Sequence, residues 1–421
     1  MENIILKASP DTLEGEIQLE RSKSISNRLL IMRALSQSSF PIHQLSGSED
    51  TQVLTKCLSL LEQRSDNEVC QLDVGPAGTA FRFLTAYLCP LSGEFTLTGS
   101  ERMLQRPIAP LVESLRKLGA QIEYFGEEGY PPLSIKGGQK LECKADIEIP
   151  ANMSSQYISA LCLIAPYIGG IRMHLSTEVM SKPYIDMTLQ LIKEFGVSYH
   201  WEAETLQVSA GKYIQKEISV EADWSSASYF YALAALYPDP NLLLKGLSYP
   251  SIQGDSKLFE LGRQFGIKST VEEDGIRLKK DLESIPSSYF EFDFREIPDL
   301  AQTFACLCAN LRMEARFSGL DSLKIKETNR IKALANELGK YNVSFYLEEI
   351  KNGEEIYHLD ARQVQFTAHS ISTYEDHRMA LAFSSFAKNA PVEIIDAKVV
   401  GKSFPSYWEV LTNLGFTFLQ A

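Results

Sequence analysis

The chain repeats one hydrophobic pattern: an amphipathic helix that ends at a glycine and leads directly into an apolar or aromatic strand. A glycine at this junction allows the left-handed backbone conformation that ends a helix and redirects the chain. Because the copies are spaced by about 70 to 77 residues, they predict an internal repeat of α/β units. The five junctions are Leu118-Gly119, Phe195-Gly196, Phe265-Gly266, Leu338-Gly339 and Leu414-Gly415. Since a helix, a glycine and a strand in succession are common in α/β proteins, the inference depends on the regular spacing.

The repeat also predicts the domain organisation. A sixth, degenerate copy fits residues 50–72, where the helix lacks its final glycine. Because 421 residues exceed one ordinary core, six units are expected to form two domains of three. A polar segment near Glu221 separates the third unit from the fourth, and the N-terminal strands can pair with the C-terminal half. The expected domains are residues 1–21 with 222–421 (domain I) and residues 22–221 (domain II).

Composition and charge narrow the class of protein. Hydrophobic residues make up 44% of the chain and charged residues 23%, as in a folded globular protein, and the net charge of −13 argues against nucleic acid as a general partner. Seven scattered cysteines, of which only Cys306 and Cys308 are close, indicate buried thiols in a reducing compartment. Six histidines without ligand spacing make a structural zinc site improbable. The N-terminus does not resemble a signal peptide and no apolar run is long enough to span a membrane, so a cytoplasmic protein is expected.

The segment 22–28 supplies the first candidate site. It combines cap-type side chains with two cations, Lys23 and Arg28, before a helix predicted at residues 29–35. A helix N-terminus carries unpaired N–H groups and partial positive charge, so the segment can bind an anion. A capped surface helix with two solvated cations explains the same residues equally well.

Similar clusters recur in the first half of the chain. Residues 75–82 form a glycine-containing turn that enters a helix, without the Lys-Ser/Thr of a phosphate-binding P-loop. A charged loop precedes a helix predicted to begin at Pro107, so Arg106 would project at that helix's N-terminus. Hydroxyl-rich starts of helices follow at residues 154–156 and at Ser181. Each cluster alone is an ordinary cap, and their number is what indicates anion binding.

The second half places carboxylates among cations. Asp299 precedes an apolar helix, where an aspartate is usually only a cap. Glu327 lies among cations in residues 324–330, which is usually a surface ion pair but in a cleft becomes a candidate proton donor. Arg378 and Lys402 precede the last two predicted helices.

These clusters, in this order, resemble the EPSP synthase family of enolpyruvyl transferases. The matching segments are Ser22–Arg28, Gly78–Arg82, Glu101–Pro107, Ser154–Gln156, Ser181–Asp186, Asp223–Phe230, Ile297–Asp299, Lys326–Arg330, Thr373–Met379 and Lys402–Pro405. The resemblance covers essentially the whole chain. It implies an α/β fold of two domains, each with three βαβαββ-type repeats around a pseudo-threefold axis, and an active site in the interdomain cleft.

The resemblance implies transfer of the enolpyruvyl group of phosphoenolpyruvate to the 5-hydroxyl of shikimate 3-phosphate, in the shikimate pathway that supplies chorismate and the aromatic amino acids. For phosphoenolpyruvate, it implies that the backbone of Gly78 and Arg106 hold the phosphate. Arg330 and Arg378 are expected on the carboxylate, with Lys402 beside it, because arginine suits planar bidentate contacts. In this family glyphosate mimics the charges of phosphoenolpyruvate, so inhibition by glyphosate is expected.

For shikimate 3-phosphate, the implied contacts lie in domain II. Lys23 would touch both substrates. The further contacts are Ser24 and Arg28 on the carboxylate side, Ser154, Ser155 and Ser181 on the 3-phosphate, Tyr184 against the ring, and Gln156 between the substrates. The partners implied are these two small molecules, with no nucleic acid or membrane, and the expected state is a monomer.

The mechanism follows from the chemistry of an enol phosphate. Protonation of the methylene carbon makes the neighbouring carbon cationic, so that a hydroxyl can attack it. Glu327 is the expected acid, and Asp299 the expected base for the 5-hydroxyl, with Lys326 close to that oxygen. The cations that offset the charges of the two substrates are Lys23, Arg28, Arg82, Arg106, Lys326, Arg330, Arg378 and Lys402. No metal or organic cofactor is implied.

Three positions depart from the family pattern. Pro76 and Ser322 each replace an Asn of the family, and Asn329 replaces an Asp. None of these changes removes a catalytic group.

Two rival functions remain. The related enolpyruvyl transferase acting on UDP-N-acetylglucosamine carries a Cys in the loop before its Arg-Pro, and residues 101–107 contain no Cys here. A non-catalytic protein that binds an anionic metabolite would keep the cations but has no need of Asp299 and Glu327 together.

Overall fold

The computed structural model describes residues 3–7, 11–36, 40–64, 68–143, 145–284, 287–351 and 353–419. The chain divides into two compact units. Unit 1 consists of Met1–Arg21 with Glu221–Ala421, and unit 2 consists of Ser22–Val220.

Strands and helices alternate through the described residues. The strands are β1 (Asn3–Lys7), β2 (Leu13–Gln18), β3 (Ile42–His43), β4 (Cys70–Asp73), β5 (Glu94–Thr98), β6 (Gln121–Tyr124), β7 (Leu133–Lys136), β8 (Ile147–Ile149), β9 (Gly170–Leu175), β10 (Tyr199–Glu202), β11 (Thr205–Ser209), β12 (Ile218–Ser219), β13 (Pro240–Lys245), β14 (Ile267–Glu272), β15 (Gly275–Lys280), β16 (Tyr289–Asp293), β17 (Glu314–Ser318), β18 (Ser344–Lys351), β19 (Glu354–Asp360), β20 (His369–Ile371), β21 (Val392–Ile395) and β22 (Thr417–Leu419). The helices are α1 (Lys23–Ser36), α2 (Glu49–Gln63), α3 (Gly78–Leu88), α4 (Glu101–Leu104), α5 (Ala109–Lys117), α6 (Ser155–Ile164), α7 (Lys182–Glu194), α8 (Trp224–Ala235), α9 (Leu258–Leu261), α10 (Ala301–Asn310), α11 (Arg330–Gly339), α12 (His377–Phe383) and α13 (Tyr407–Asn413).

One sheet pattern recurs, which confirms the α/β class. The four-stranded sheets have the orders β4-β5-β7-β6, β10-β11-β9-β8, β14-β15-β13-β2, β16-β17-β19-β18 and β20-β21-β1-β22. In each sheet one pair of strands is parallel and the other two pairings are antiparallel, as for β4 with β5, β5 with β7 and β6 with β7. In the last sheet the N-terminal strand β1 takes the place of the hairpin strand. Unit 2 also contains a parallel pair, β3 with β12.

The chain passes twice between the two units. Strand β2 of unit 1 leads into α1 of unit 2, and β12 of unit 2 leads into α8 of unit 1. The two crossing segments are joined, because the amide of Asp223 donates to the carbonyl of Glu20 over 2.8 Å and Arg21 forms a bridge with Ala222.

Each unit is built around three helices that are buried on most sides. In unit 2, α1, α3 and α6 contact one another, and in unit 1 α10 contacts both α8 and α12. Apart from α1, their sequences are apolar or small nearly all round, which is typical of a helix inside a core. The outer helices α2, α5, α7 and α11 bury one face. Many candidate site residues lie at or near the N-termini of helices, both buried ones such as α3 and α6 and outer ones such as α7 and α11.

Four of the five repeat glycines have the predicted conformation. Gly119, Gly196, Gly266 and Gly415 have φ between 74° and 105°. The prediction for Gly339 is wrong, because α11 runs through this residue. Asn342 adopts the left-handed conformation instead, with φ 61°. Asparagine tolerates this conformation, so the left-handed residue comes three positions later, in the turn between α11 and the strand.

Candidate active site

In unit 1, one buried arginine joins three carboxylates. Arg330 begins α11 with its side chain only 2% exposed. Its guanidinium donates to Asp299 over 2.7 Å, to Glu327 over 2.8 Å and to Asp376 over 2.6 Å. The two carboxylates predicted as base and acid are therefore held on one guanidinium.

Two further cations act on Asp299. Arg378 donates to its carboxylate over 3.0 Å, and the Lys326 ammonium lies 3.7 Å from it. Burial alone would raise the pKa of Asp299, but Arg378, Lys326 and Arg330 outweigh it and hold the pKa well below the ordinary value of an aspartate. Asp299 is thus ionised at neutral pH. It lies within a turn of 3₁₀ helix (Pro298–Leu300) rather than at the N-cap position, which Ile297 occupies.

The turn before α12 is strained and is fixed at several points. Tyr374 and Glu375 have φ of 53° and 56°, which costs residues other than glycine about 1 to 3 kcal/mol each. The buried carboxylate of Glu337 accepts from the hydroxyl of Tyr374 over 2.7 Å, and Lys402 donates to the carbonyl of Glu375 over 2.7 Å. Asp376, which caps α12 through the amide of Arg378, follows directly. Helix α11 therefore holds this turn at both ends, through Arg330 and Glu337.

Sequence reasoning missed four residues around this cluster. Asp376 could have been found, since like Asp299 it is a carboxylate that precedes an apolar helix. Tyr229, whose hydroxyl accepts from Arg378 over 3.4 Å, lies within an apolar helix, and Glu337 lies on an amphipathic one, so neither stood out. Asp255 is buried and accepts from the hydroxyl of Ser225; burial raises its pKa to about 7.

In unit 2, a buried cation faces the start of a helix. Arg106 is 7% exposed and its Nε has no partner among the described residues. Its guanidinium packs so closely on Gly78 that a Cβ there would lie 2.5 Å from Nη1. Helix α3 begins at Gly78, and Ala77 gives it no side-chain cap. A buried guanidinium without a counter-ion beside uncapped N–H groups is a site for an anion.

The helix boundaries around Arg106 differ from the prediction. The segment expected to be a charged loop contains the short helix α4, because the hydroxyl of Ser100 accepts from the amide of Met103. Helix α5 begins at Ala109 rather than at Pro107. Arg106 therefore lies in the link between two helices.

The first candidate segment also folds differently from the prediction. Helix α1 begins at Lys23, so Ser24, Ser26 and Asn27 lie within the helix rather than before it. The hydroxyl of Ser22 accepts from the amide of Ile25 over 3.4 Å and serves as the cap. In the first turn, the ammonium of Lys23 pairs with the partly buried Asp50 of α2 over 3.1 Å.

Arg28 is a buried hub rather than a solvated cation. It donates to Thr188 over 2.7 Å, to the carbonyls of Ser24 and Tyr184 over 2.7 and 2.9 Å, and to Ser159 over 3.3 Å. All four acceptors are neutral, and burial lowers its pKa to about 10. Arg28 therefore fixes α1 against α6 and α7 and positions the backbone of Ser24 and Tyr184.

The remaining predicted contacts of unit 2 lie at the starts of α6 and α7. Ser154 caps α6 and accepts from the amide of Gln156, whose side chain donates to Thr79 of α3 over 3.0 Å. Ser155 is the first residue of α6, and Ser181 precedes α7 with φ 56° and no side-chain cap bond. The segments before the two helices are adjacent, because the amide of Met180 donates to Ala151 over 3.1 Å.

The departures from the family pattern have modest structural roles. Asn329 caps α11 by accepting from the amide of Lys332 over 3.1 Å. Ser322 is buried, and its hydroxyl has no partner among the described residues. Pro76 lies in the turn that the side chain of Asp73 stabilises through the amide of Gly75.

Within the described ranges there is no group of three or more His, Cys, Asp or Glu placed to hold a metal ion. The helices of this part of the chain also include none with the length and apolar content needed to cross a membrane.

Comparison with known proteins identifies relatives over nearly the whole chain. Residues 7–411 match the family model described as EPSP synthase (3-phosphoshikimate 1-carboxyvinyltransferase). The chain is 46% identical over 415 residues to the 3-phosphoshikimate 1-carboxyvinyltransferase of Bacteroides fragilis, covering 98% of both chains. It is 35% identical to the enzyme of the same name from Cellvibrio japonicus, covering 95% of this chain and 96% of the relative.

Solved structures show the same fold. An EPSP synthase structure from Acinetobacter baumannii superposes with a TM-score of 0.76 at 21% identity and covers 99% of both chains. The enolpyruvyl transferase fold expected from the resemblance is thereby confirmed. From the family match and the identity to these relatives over nearly its whole length, the chain belongs to the EPSP synthase family.

Proposed function

We propose that the chain transfers the 1-carboxyvinyl group of phosphoenolpyruvate to the 5-hydroxyl of shikimate 3-phosphate and releases phosphate. Family membership supports the reaction class. The observation that carries the residue assignment is the shared guanidinium of Arg330, which holds Asp299 and Glu327 together. A protein that only binds an anion has no need of two carboxylates on one buried cation.

Asp299 and Glu327 have different roles in this mechanism. Asp299 is held ionised by its cations, so it accepts the proton of the 5-hydroxyl, while Lys326 stabilises the negative charge that develops on that oxygen. Glu327 delivers a proton to the methylene carbon of phosphoenolpyruvate. The 5-oxygen then attacks the neighbouring carbon to give a tetrahedral ketal phosphate. This intermediate loses phosphate and, from its methyl group, a proton that returns to Glu327, which gives the enol ether.

The cations of unit 1 favour this division of roles. Arg330, Arg378 and Lys326 all lie within 3.7 Å of the Asp299 carboxylate, and Arg330 also donates to Glu327. The carboxylate of phosphoenolpyruvate would be attracted to these cations.

The two anionic groups of phosphoenolpyruvate are assigned to different units, according to the cations that each unit supplies. The uncompensated guanidinium of Arg106 and the N-terminus of α3 at Gly78 bind the phosphate of phosphoenolpyruvate. Arg330, Arg378 and Lys402 bind its carboxylate.

Shikimate 3-phosphate is bound by residues 22–221, and residues 1–21 with 222–421 supply the acid and the base. Its predicted contacts are Lys23, Ser24, Arg28, Ser154, Ser155, Gln156, Ser181 and Tyr184. Support comes from the two compact units and from the adjacent starts of α6 and α7. Lys23 would reach both substrates.

We also propose that the protein is a monomer and lies in the cytoplasm. The seven cysteines are free, as in a reducing compartment. Sedimentation at several protein concentrations tests the oligomeric state.

Phosphate release tests the reaction itself. The purified chain is incubated with phosphoenolpyruvate and either shikimate 3-phosphate, UDP-N-acetylglucosamine or no acceptor, and the organic product is identified by mass. Release that depends on shikimate 3-phosphate, together with its enolpyruvyl ether, supports the proposal. Release only with the nucleotide sugar, or with neither acceptor, overturns it.

A further inference from the structure

The carbonyl of Pro107 receives two hydrogen bonds from buried side chains. The hydroxyl of Tyr157 donates over 2.5 Å, and Nη2 of Arg82 donates over 3.2 Å. Tyr157 is 1% exposed and lies in the first turn of α6, and Arg82 belongs to α3. Two helices of the core therefore fix one carbonyl in the link between α4 and α5.

This carbonyl belongs to the residue that follows Arg106. On the other side, the amide of Arg106 donates to the carbonyl of Met103 over 3.1 Å, at the end of α4. The Arg106 backbone is thus anchored on both sides, while its guanidinium has no acidic partner among the described residues and lies against Gly78. Because no ion pair orients this guanidinium, the backbone anchors determine where it lies.

The hydroxyl of Tyr157 has no other evident function. A buried phenol needs an acceptor, but many backbone carbonyls would serve, and here the acceptor is the one next to the candidate anion-binding arginine. The neighbouring residue Gln156 reaches Thr79 on α3, so the first turn of α6 contacts the Gly78 side of the same site as well.

We propose that Tyr157 is a positioning residue for phosphate recognition: its hydroxyl holds the Pro107 carbonyl so that the Arg106 guanidinium stays against Gly78. Tyr157 itself does not contact substrate. This inference rests on the proposed function, in which Arg106 and Gly78 bind the phosphate of phosphoenolpyruvate.

The test replaces the hydroxyl alone. Tyr157→Phe keeps the ring and its packing, and Pro107 keeps its bond from Arg82. One lost hydrogen bond is expected to raise KM for phosphoenolpyruvate about fivefold. KM for shikimate 3-phosphate is expected to stay within about twofold, because the proposed contacts of that substrate include neither Arg106 nor Gly78.

Tyr213→Phe is the matched control. The hydroxyl of Tyr213 is also buried in unit 2 and also donates to a backbone carbonyl, that of Leu163 over 2.7 Å. That carbonyl lies in the second half of α6, away from the link that carries Arg106. Tyr213→Phe is expected to leave both KM values unchanged, and an equal rise in both variants would overturn the inference.

A double-mutant cycle separates this inference from the proposed function. If Tyr157 acts through Arg106, adding Tyr157→Phe to Arg106→Gln causes no further rise in KM for phosphoenolpyruvate. If Arg106→Gln itself leaves this KM unchanged, the proposed phosphate site is wrong. If Arg106→Gln raises KM but Tyr157→Phe does not, or if the two effects multiply in the double variant, only the role of Tyr157 is overturned.

Discussion

The two units differ in the partners of their buried cations. In unit 1, Arg330 and Arg378 are paired with carboxylates that the chain itself supplies. In unit 2, Arg28 donates only to neutral oxygens, and among the described residues Nε of Arg106 has no hydrogen-bond partner and its guanidinium forms no ion pair. Lys23, with Asp50, is the exception.

This difference indicates which chemistry each unit is suited to. A buried charge is costly unless it is paired, so the ion pairs of unit 1 stabilise the folded cluster before any ligand arrives. They also keep Asp299 ionised. Arg106 lacks this compensation, and an incoming anion must supply it. Unit 1 is therefore suited to proton transfer and unit 2 to phosphate recognition.

Loss of the proton donor should have the largest effect. Glu327→Gln keeps the shape and a hydrogen-bond acceptor for Arg330 but cannot deliver a proton. We expect kcat to fall by roughly a hundred- to ten-thousand-fold, with the KM values little changed. Steady-state kinetics measure this, with Glu354→Gln as the control because Glu354 pairs with Arg295 in the same unit over 2.7 Å. Near-normal turnover of Glu327→Gln would remove this residue from the mechanism.

The next effect is on the stability of unit 1. Asp376 is fully buried and pairs with Arg330, so Asp376→Asn weakens the compensation of a buried charge. We expect the free energy of unfolding to fall by about 3 kcal/mol. Asp360→Asn is the control, since Asp360 forms an exposed pair with Arg362 over 2.7 Å and should cost at most about 1 kcal/mol. Equal losses in the two variants would show that burial of the pair is unimportant.

Asp255 should make stability depend on pH. Burial raises its pKa to about 7 against the pull of Ser225 and Arg378, and Asp299 and Asp223 raise it further. The folded state then retains a proton that the unfolded state loses above its ordinary pKa, so this contribution to stability decreases between about pH 4 and pH 7. Asp255→Asn does not titrate.

Denaturant unfolding at pH 5 and pH 8 tests this expectation. Going from pH 5 to pH 8, the wild type should lose roughly 1 to 3 kcal/mol more than Asp255→Asn. If the two proteins respond identically to pH, Asp255 does not titrate in this range.

Much of this arrangement could be predicted from sequence, and the misses have physical reasons. The repeat and the helix-start residues were visible because secondary structure imposes local patterns. The three acceptors of Arg330 were not, since Asp299, Glu327 and Asp376 come from separate segments that only the tertiary fold brings together. That Nε of Arg106 lacks a partner in the part of the chain that the structure describes is likewise a property of the packed structure, whereas the sequence shows Glu101 nearby.

Helix boundaries were missed for a related reason. Serine and asparagine are favoured caps, so residues 22–28 indicated a cap, but burial of α1 in the core of unit 2 extends the helix through them. Gly339 is the last residue of α11 in helical conformation, and Asn342, in the turn that follows, adopts the left-handed conformation instead.

A methyl group at Gly78 should disturb the unpaired arginine of unit 2. Its Cβ would meet Nη1 of Arg106 at 2.5 Å, so the guanidinium must move. We expect glyphosate to inhibit the wild type competitively with phosphoenolpyruvate, and Gly78→Ala to raise its inhibition constant about tenfold, which is about 1.4 kcal/mol. Inhibition kinetics at fixed shikimate 3-phosphate measure both. If both proteins are equally insensitive, the turn around Pro76 and the neighbouring Phe83 does not place Gly78 at the inhibitor.

The smallest expected effect is on the stability of Arg106→Gln, and it tests most directly whether the buried cations of the two units differ. If Arg106 is a buried charge that awaits an anion, Arg106→Gln should not destabilise the ligand-free protein and should raise its free energy of unfolding by up to about 1 kcal/mol, opposite in sign to Asp376→Asn. Inorganic phosphate should stabilise the wild type by mass action and stabilise Arg106→Gln less.

Thermal unfolding with and without phosphate, at constant ionic strength, measures both effects, and chloride in place of phosphate controls for general screening. A clear loss of stability in ligand-free Arg106→Gln would mean that the guanidinium is already compensated in the folded protein. The buried cations of the two units would then not differ, because the charge of Arg106, like that of Arg330, would be compensated within the folded protein before a substrate binds.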